Sequence, residues 1–509
     1  MTQLTKRSFL ARQIEKRFGG YRHLVVPVDD TQPKQLTEKK SVAVIGAGIA
    51  GMSAAIRLAE RGFDVTVYEK NDYIGGKIGS WPVELHNGDT AYVEHGFHAF
   101  FRHYYNLRHL FSDLEIDKDY AAMDDYYIMT LEKEAFRFHD AITTPILNLY
   151  DLARKGIYNF WKVAFSRTAL KMLPMLTYNK DKTFKKFDHL SFEKYAQDAK
   201  LPKNLILIFN TFSRAFFAQI DRMSMAELMK SFHFFYLSND HGLLYDYFDD
   251  DYEYTILKPM RDAVENNGGT ILLDHPVEQI DRQEDGSFKI DGTHHDYMVM
   301  ASDIRGAQHL LGQTQWLKDD FPAFAAQMEK QKYAQRYSVL RLWMDRDIDD
   351  TTVCPFLITE RNVLLDAIAF YHRLEKESTA YVEKEGGAVL ELHCYAVPDD
   401  IPEDEIRTHF LKELHAFFPE LKDATIRQEY MQVRQDFTAY HVGQYEHRPT
   451  TETPVPNLFF AGDWVKLPYP AMLMEGACMS GTLAANQICQ QENIQETPVW
   501  SVPPKGFFA

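Results

Sequence analysis

The sequence predicts an α/β protein in which a discontinuous Rossmann-like dinucleotide-binding domain carries an inserted α+β domain. Three stretches carry this expectation. Ser41 to Lys70 reads as strand, glycine turn, helix and strand. Lys258 to Ser302 returns to the same rhythm. Asn457 to Ala485 closes with an apolar strand, a glycine turn and a helix.

The first stretch is the most informative. Val42 to Ile45 is an apolar run of the kind found in buried parallel strands. Gly46-Ala47-Gly48-Ile49-Ala50-Gly51 follows, a complete G-x-G-x-x-G. In such a turn the first glycine makes the bend. The second admits a pyrophosphate close to the backbone, and the third lets helix pack on strand. The free N–H groups and dipole of the helix N-terminus favour the phosphates. Glu69 and Lys70 end the second strand, and Glu69 is placed to accept hydrogen bonds from an adenosine ribose. Asn71 to Lys77 adds a second glycine pair, Gly75-Gly76, and the cation Lys77, a set that suits a cofactor whose phosphates are held from two sides.

Composition narrows the field. The chain has 509 residues and a formal net charge of -17, which argues against general nucleic-acid binding. Its four cysteines form no C-x-x-C pair and no metal-ligand set, as expected in a reducing, cytoplasmic compartment without disulfides. No signal-peptide core is visible at the N-terminus, and the uncharged runs Ser41 to Ile56 and Gly476 to Gln491 are too short to span a bilayer.

Residues 1–40 read as a basic segment and a linker. Lys6, Arg7, Arg12, Lys16, Arg17 and Arg22 stand against Glu15, with Phe9, Leu10, Ile14 and Phe18 at roughly helical spacing. Such a helix fits either an anionic membrane surface or the protein body. A second basic stretch, residues 145–186, sets nine Lys and Arg against Asp151 and Asp181 from residue 151 onward. Ile157, Tyr158, Phe160, Trp161, Val163, Phe165 and Leu170 are interleaved, as at a membrane headgroup boundary.

Tyr92 to Leu107 is dense in aromatics and histidines. Glu94, His95, His98 and His103 raise the idea of a metal, but Gly96 interrupts them, and the run reads as strand and loop beside a cofactor and an apolar substrate. Leu205 to Asp250 reads as helical and rich in Phe, Met and Leu, with Arg214, Asp221 and Arg222 expected as paired ions.

These motifs resemble the FAD-dependent carotenoid desaturase family of the flavin amine oxidase superfamily. The glycine pair with its cation resembles that superfamily's extended motif and favours FAD over NAD. The pattern of Gly96, His98, Phe100, Phe101, Tyr104 and Asn106 resembles plant-type phytoene and zeta-carotene desaturases, and more closely the aromatic-carotenoid (isorenieratene-type) synthases. Ser213 to Phe217 and Ser231 to Phe235 resemble the substrate domain of those synthases. Asn457 to Ala485 resembles the superfamily's C-terminal flavin motif.

The resemblance implies a fold of the glutathione-reductase and amine-oxidase type. The FAD domain would comprise residues 41–140, 245–306 and 450–490, and the substrate domain 141–244 and 307–449, with 491–509 a tail. It implies that Glu94 and His95 lie beside the flavin, that Val277 meets the adenine, and that Gly462, Asp463 and Met474 serve the ribityl and diphosphate side. Cys478 falls inside the last helix, after the Met-Glu-Gly turn, so a non-covalent FAD is expected. His98 and Arg214 are candidates for acid/base or ring-positioning roles. The implied reaction removes hydride and proton from a carotenoid, with possible ring aromatisation. With only one dinucleotide fingerprint in the sequence, electrons would pass to a quinone or oxygen. A flavin amine oxidase and a non-redox carotenoid isomerase remain the alternatives.

Overall fold

Ser41–Ile45 becomes a central strand because its apolar residues are covered on both faces: Val42, Ala43, Val44 and Ile45 are all buried. The structure, a computed structural model, describes residues 9–509 apart from 124, 139–140, 157, 160, 162–164, 166 and 243. Five parallel strands form the first sheet, in the order Thr270–Leu272, Asp64–Tyr68, Ser41–Ile45, Tyr297–Met300, Leu458–Phe460. Strands distant in sequence therefore share one sheet.

The helix Ile49–Ala59 follows the glycine turn and is buried along its whole length. Its small residues let the helix Leu473–Gln491 come close. A Cβ on Gly481 would lie 2.1 Å from the Ala50 carbonyl oxygen, so only glycine fits at this crossing.

A second sheet of seven strands runs in the order Ile426–Arg434, Tyr337–Met344, Ala388–Cys394, Ala367–Phe370, Phe356–Thr359, Tyr127–Met129, Ala135–Arg137. Its pairs are antiparallel except Phe356–Thr359 with Tyr127–Met129. Alternation along a strand divides its residues between two faces. Leu340, Leu342, Leu390 and Leu392 pack with Ile406, Phe410 and Leu414 of the helix Glu403–Phe417. Val339, Arg341, Glu391 and His393 take the opposite face.

Two expectations need correction. The stretch 205–250 is not helical throughout. Lys203–Ala215 and Met225–Phe232 are helices, but Tyr245–Phe248 is a strand between Phe100–Phe101 and Tyr120–Ala122. Its aromatics fit a sheet flanked by aromatic partners, which helical spacing alone does not reveal. The C-terminal residues do not trail: Val499–Ser501 pairs with His23–Val26, and Gly506 N donates to Tyr178 O at 2.7 Å. Arg214 and Arg222 are paired ions as expected, Arg214 with Asp366 and Arg222 with Asp399.

The N-terminal helix Phe9–Phe18 packs Ala11 and Ile14 on the body and leaves Phe9 71% exposed. Lys6 and Arg7 lie outside the described residues. In the second basic stretch, Trp161, Phe165, Leu170 and Leu173 are exposed, while Leu152, Met175, Phe184 and Phe187 are buried. Ile157, Phe160, Lys162 and Val163 of that stretch lie outside the described residues. All four cysteines are free and buried. No helix among the described residues is long and apolar enough to cross a membrane.

Candidate active site

A cavity of about 1580 Å³ runs from the glycine turn into the space beneath the second sheet. Single-ligand pockets usually hold roughly 300–1,000 Å³, so there is room for more than one molecule.

The glycines shape its first end. Gly46 sits at φ +106, and a Cβ there would lie 2.9 Å from Ser302 N. Gly51 is outside the cavity wall; its Cβ would stand 1.9 Å from Gly46 O, so it serves the packing of helix on turn. Gly48 differs. A Cβ on it would meet nothing nearer than Gly75 O at 4.0 Å. Its missing side chain leaves space at the N-terminus of Ile49–Ala59, which has no side-chain cap. Uncapped N–H groups facing such a space make an anion site. Gly75 bridges to Gly48, and Gly76 at φ +58 approaches Gly48 Cα, so the second glycine pair forms the opposite rim.

Glu69 is buried in the wall. Its Oε2 accepts from Ala47 N at 2.8 Å, and its Oε1 from Asn71 N and Nδ2 at 3.0 and 2.7 Å. Oε2 keeps an acceptor position for a hydroxyl. Ala50, Lys70 and Val277 also line this end.

Gly462, Asp463 and Met474 line the cavity where the first sheet meets the last helix. Asp463 accepts from Thr438 Oγ1 at 3.0 Å and from Lys77 Nζ at 3.4 Å. Lys77 also sits 4.5 Å from the Phe437 ring centroid. Burial pulls the Lys77 ammonium pKa down, but Asp463, Asp436 and Asp303 outweigh it and raise it above the ordinary value. Lys77 and Asp463 thus join the two glycine motifs.

Beyond lies an aromatic chamber lined by Phe101, Phe216, Phe217, Phe235, Tyr245 and Phe356. His95 and His98 line the cavity as well. Burial holds the His95 imidazole well below its usual range, and the Tyr337 hydroxyl contacts its Nδ1. Burial pushes His98 down to about 4, and its Nδ1 has no partner among the described residues. Arg214 also lines the cavity. Its Nη1 donates to Asp366 Oδ1 at 3.2 Å, although Arg361 already pairs with the same carboxylate.

One expected residue falls elsewhere, and a neighbouring histidine is packed away from the site. Glu94 does not line the cavity; it is buried in an ion cluster, taking Arg341 Nη2 at 2.5 Å. His103 is packed among Phe101, Phe234 and Phe235. No group of His, Cys, Asp and Glu among the described residues could hold a metal ion.

Sequence reasoning missed Glu475. This buried carboxylate caps the helix Tyr105–Asp113. Burial pushes its carboxyl up to about 7, against the pull of its amide donors. It also missed Tyr337, Asp366 and His393 in the cavity wall. Motif signals are local, and these residues enter the site from distant strands.

A glycine-lined anion site, an acid beside it and a paired Lys–Asp bridge fit an adenine dinucleotide with a second group in the aromatic chamber. Residues 49–489 match the family described as flavin containing amine oxidoreductase. The chain is 30% identical to a carotenoid phi-ring synthase of Streptomyces griseus, over 96% of each chain. It is 28% identical to one of Chlorobaculum tepidum, over 94% of this chain and 93% of that one. A 15-cis-phytoene desaturase of Synechococcus elongatus is 25% identical over 89% of this chain and 97% of its own. Among solved structures, cyclohexylamine oxidase of Brevibacterium oxydans superposes with TM-score 0.62 at 15% identity, covering 89% of this chain and 99% of that one. The expected α/β FAD-binding fold is therefore present. The chain belongs to the flavin-containing amine oxidoreductase family, within which it stands with carotenoid phi-ring synthases, and it is an FAD-dependent oxidoreductase.

Proposed function

We propose that this enzyme desaturates a carotenoid and aromatises its end ring. The observation that carries this reading is the cavity itself, which joins a dinucleotide site to an aromatic chamber in one continuous space. A polyene fits such a chamber through dispersion and ring contacts, and water is kept out. The similarity to phi-ring synthases over nearly the whole chain supports the same substrate class.

In this proposal Gly46, Gly48, Ala50 and the helix N-terminus hold the pyrophosphate, and Gly51 sets the packing beneath it. Glu69, Lys70 and Val277 hold the adenosine side. Gly75, Gly76, Lys77, Gly462, Asp463 and Met474 hold the ribityl and flavin side, with His95 at the ring. FAD is held without a covalent bond, since Cys478 is buried outside the cavity wall. Bound FAD supplies a hydride acceptor; the protein supplies orientation and a dry site. Arg214 positions the substrate end, and His98 stands where substrate and cofactor meet. A lipid-soluble quinone, or oxygen, takes the electrons onward.

The substrate enters from a membrane surface on the cytoplasmic side. Exposed Trp161, Phe165, Leu170 and Leu173 next to Lys155 and Lys171 support that contact. Expression in cells accumulating lycopene, beta-carotene or gamma-carotene tests the reading. It predicts a pigment lighter by hydrogens, with an aromatic ring. Unchanged pigments with peroxide released from amines would favour an amine oxidase, and a same-mass product of altered geometry an isomerase.

A further inference from the structure

The cluster around Arg341 is a group of buried charges with no part in the reading above. Arg341 and Glu391 face each other across the strands Tyr337–Met344 and Ala388–Cys394. Arg341 Nε donates to Glu391 Oε2 at 2.8 Å, and its Nη1 to Tyr92 O at 3.0 Å. Arg341, Glu94 and Glu391 are each 2% exposed or less. Glu391 Oε1 accepts from Phe97 N at 3.1 Å, so it also fixes the loop that carries His95 and His98.

His393 lies two residues along the same strand, opposite Val339, and lines the cavity. Its Nε2 is 3.1 Å from Glu391 Oε1, an ion-pair distance without hydrogen-bond geometry. Its other edge faces Gly96, which also lines the cavity. A Cβ at Gly96 would stand 3.1 Å from His393 Cε1 and 3.3 Å from its Nδ1. Any side chain at 96 would crowd the imidazole edge, so glycine keeps that edge of the 1%-exposed ring unblocked.

We propose that His393 is the proton acceptor of this cavity, held by Glu391, which Arg341 fixes in turn. It takes this role within the carotenoid reading given above. In each desaturation bound FAD would supply the acceptor for one hydrogen, which leaves its C–H bond with the electron pair as hydride. The neighbouring C–H bond breaks the other way. Its electron pair becomes the new π bond, and its proton passes to the bare imidazole edge. The imidazolium forms beside an ionised carboxylate, so no isolated charge appears in a dry space. Burial would push the Glu391 carboxyl up, but Arg341 and the His393 contact overcome it and hold it at about 2.

The other cavity histidines are less suited. His309 contacts Gln313 Nε2 on its own helix. His95 engages Tyr337. His98 has no carboxylate contact and is pushed down to about 4 by burial. His275 pairs with Asp291 at the nucleotide end. The charged and titratable groups facing His393 are Glu391 and Tyr395 from its own strand, Arg341 and Glu94 behind it, His98 from the loop, and Asp366 with Arg214 from the cavity wall.

The test is anaerobic rapid mixing of the FAD-loaded, full-length enzyme with beta-carotene in vesicles, following flavin bleaching against pH. The wild-type rate is expected to rise with pH and level off as one group loses its proton. H393Q should retain FAD but lose roughly a hundredfold or more in rate, together with the pH-dependent limb. E391Q should move that limb to lower pH, because the imidazolium loses its anionic neighbour. An H393Q enzyme within about threefold of wild type with the limb intact overturns the assignment. So does a limb that vanishes in H98Q and not in H393Q. A wild-type rate that is flat from about pH 5 to 9 overturns it without any variant. Wild-type flavin that no carotenoid reduces overturns the carotenoid reading itself, and is told apart because it appears before any substitution.

Discussion

Glu475 Oε1 accepts both the backbone and the side-chain amide of Asn106, at 3.0 and 2.6 Å, while its Oε2 accepts from Leu107 N at 3.0 Å. Asn106 in turn exchanges two hydrogen bonds with the backbone of Trp500. One pair of side chains thus ties the last helix, the aromatic segment 92–107 and the C-terminal strand together. The loop carrying His95 and His98 leads through the strand Phe100–Phe101 into the helix so capped.

That relationship predicts a pH dependence. Folding raises the Glu475 carboxyl to about 7 from an ordinary value of 4.5. The folded state binds this proton more tightly than the unfolded state. Its contribution to stability is full below the ordinary value and is lost as pH rises to about 7. Measured by urea unfolding, the stability of wild type relative to E475Q should fall by on the order of 3 kcal/mol as pH rises from the ordinary value to about 7. Parallel curves for the two proteins would contradict it.

The glycines predict contrasting substitutions. Gly48→Ala should fold with an unchanged melting temperature, because its Cβ meets no protein atom within 3.5 Å; the nearest is Gly75 O at 4.0 Å. It should lose FAD affinity by roughly tenfold or more, about 1.4 kcal/mol, read by flavin fluorescence. Gly51→Ala places a Cβ 1.9 Å from Gly46 O and should cost about 1–3 kcal/mol of stability.

Arg214→Leu separates a structural from a substrate role. Arg361 still neutralises Asp366, so the melting temperature should fall only slightly. FAD content should hold, while KM for the carotenoid rises several-fold. A large loss of stability with unchanged KM would leave Arg214 as a structural ion.

Trp161 and Phe165 stack at 5.9 Å between centroids and are 66% and 86% exposed. Replacing both by aspartate should weaken binding to anionic vesicles by tenfold or more, since each aromatic contributes roughly 1.5–3 kcal/mol when buried. Turnover of detergent-dispersed carotenoid should persist. Unchanged cosedimentation would show that this surface does not meet the bilayer.

Much of the cofactor end was legible in the sequence because its signals are local. Gly46 to Gly51, Glu69 and Gly75-Gly76 each follow a strand whose apolar run announces it. Asp463 was legible through its glycine turn, and its meeting with Lys77 follows from bringing two turns to one sheet edge. The substrate end was less legible. His393, Asp366 and Tyr337 lie on strands of the second sheet, and alternation places them on a face without saying what that face meets. Glu94 sits next to His95 in sequence, yet the strand turns it away into the Arg341 cluster. Tyr245–Phe248 was missed because aromatic residues suit helix and strand alike until a partner strand is known.

The most direct measurement is incubation of the purified, FAD-loaded enzyme with beta-carotene and a quinone, followed by mass and absorption analysis of the pigment. The mechanism proposed here predicts products lighter by pairs of hydrogens that carry an aromatic end ring, with one quinone reduced for each pair lost. Pigment that keeps its mass and spectrum while the flavin stays oxidised would contradict it.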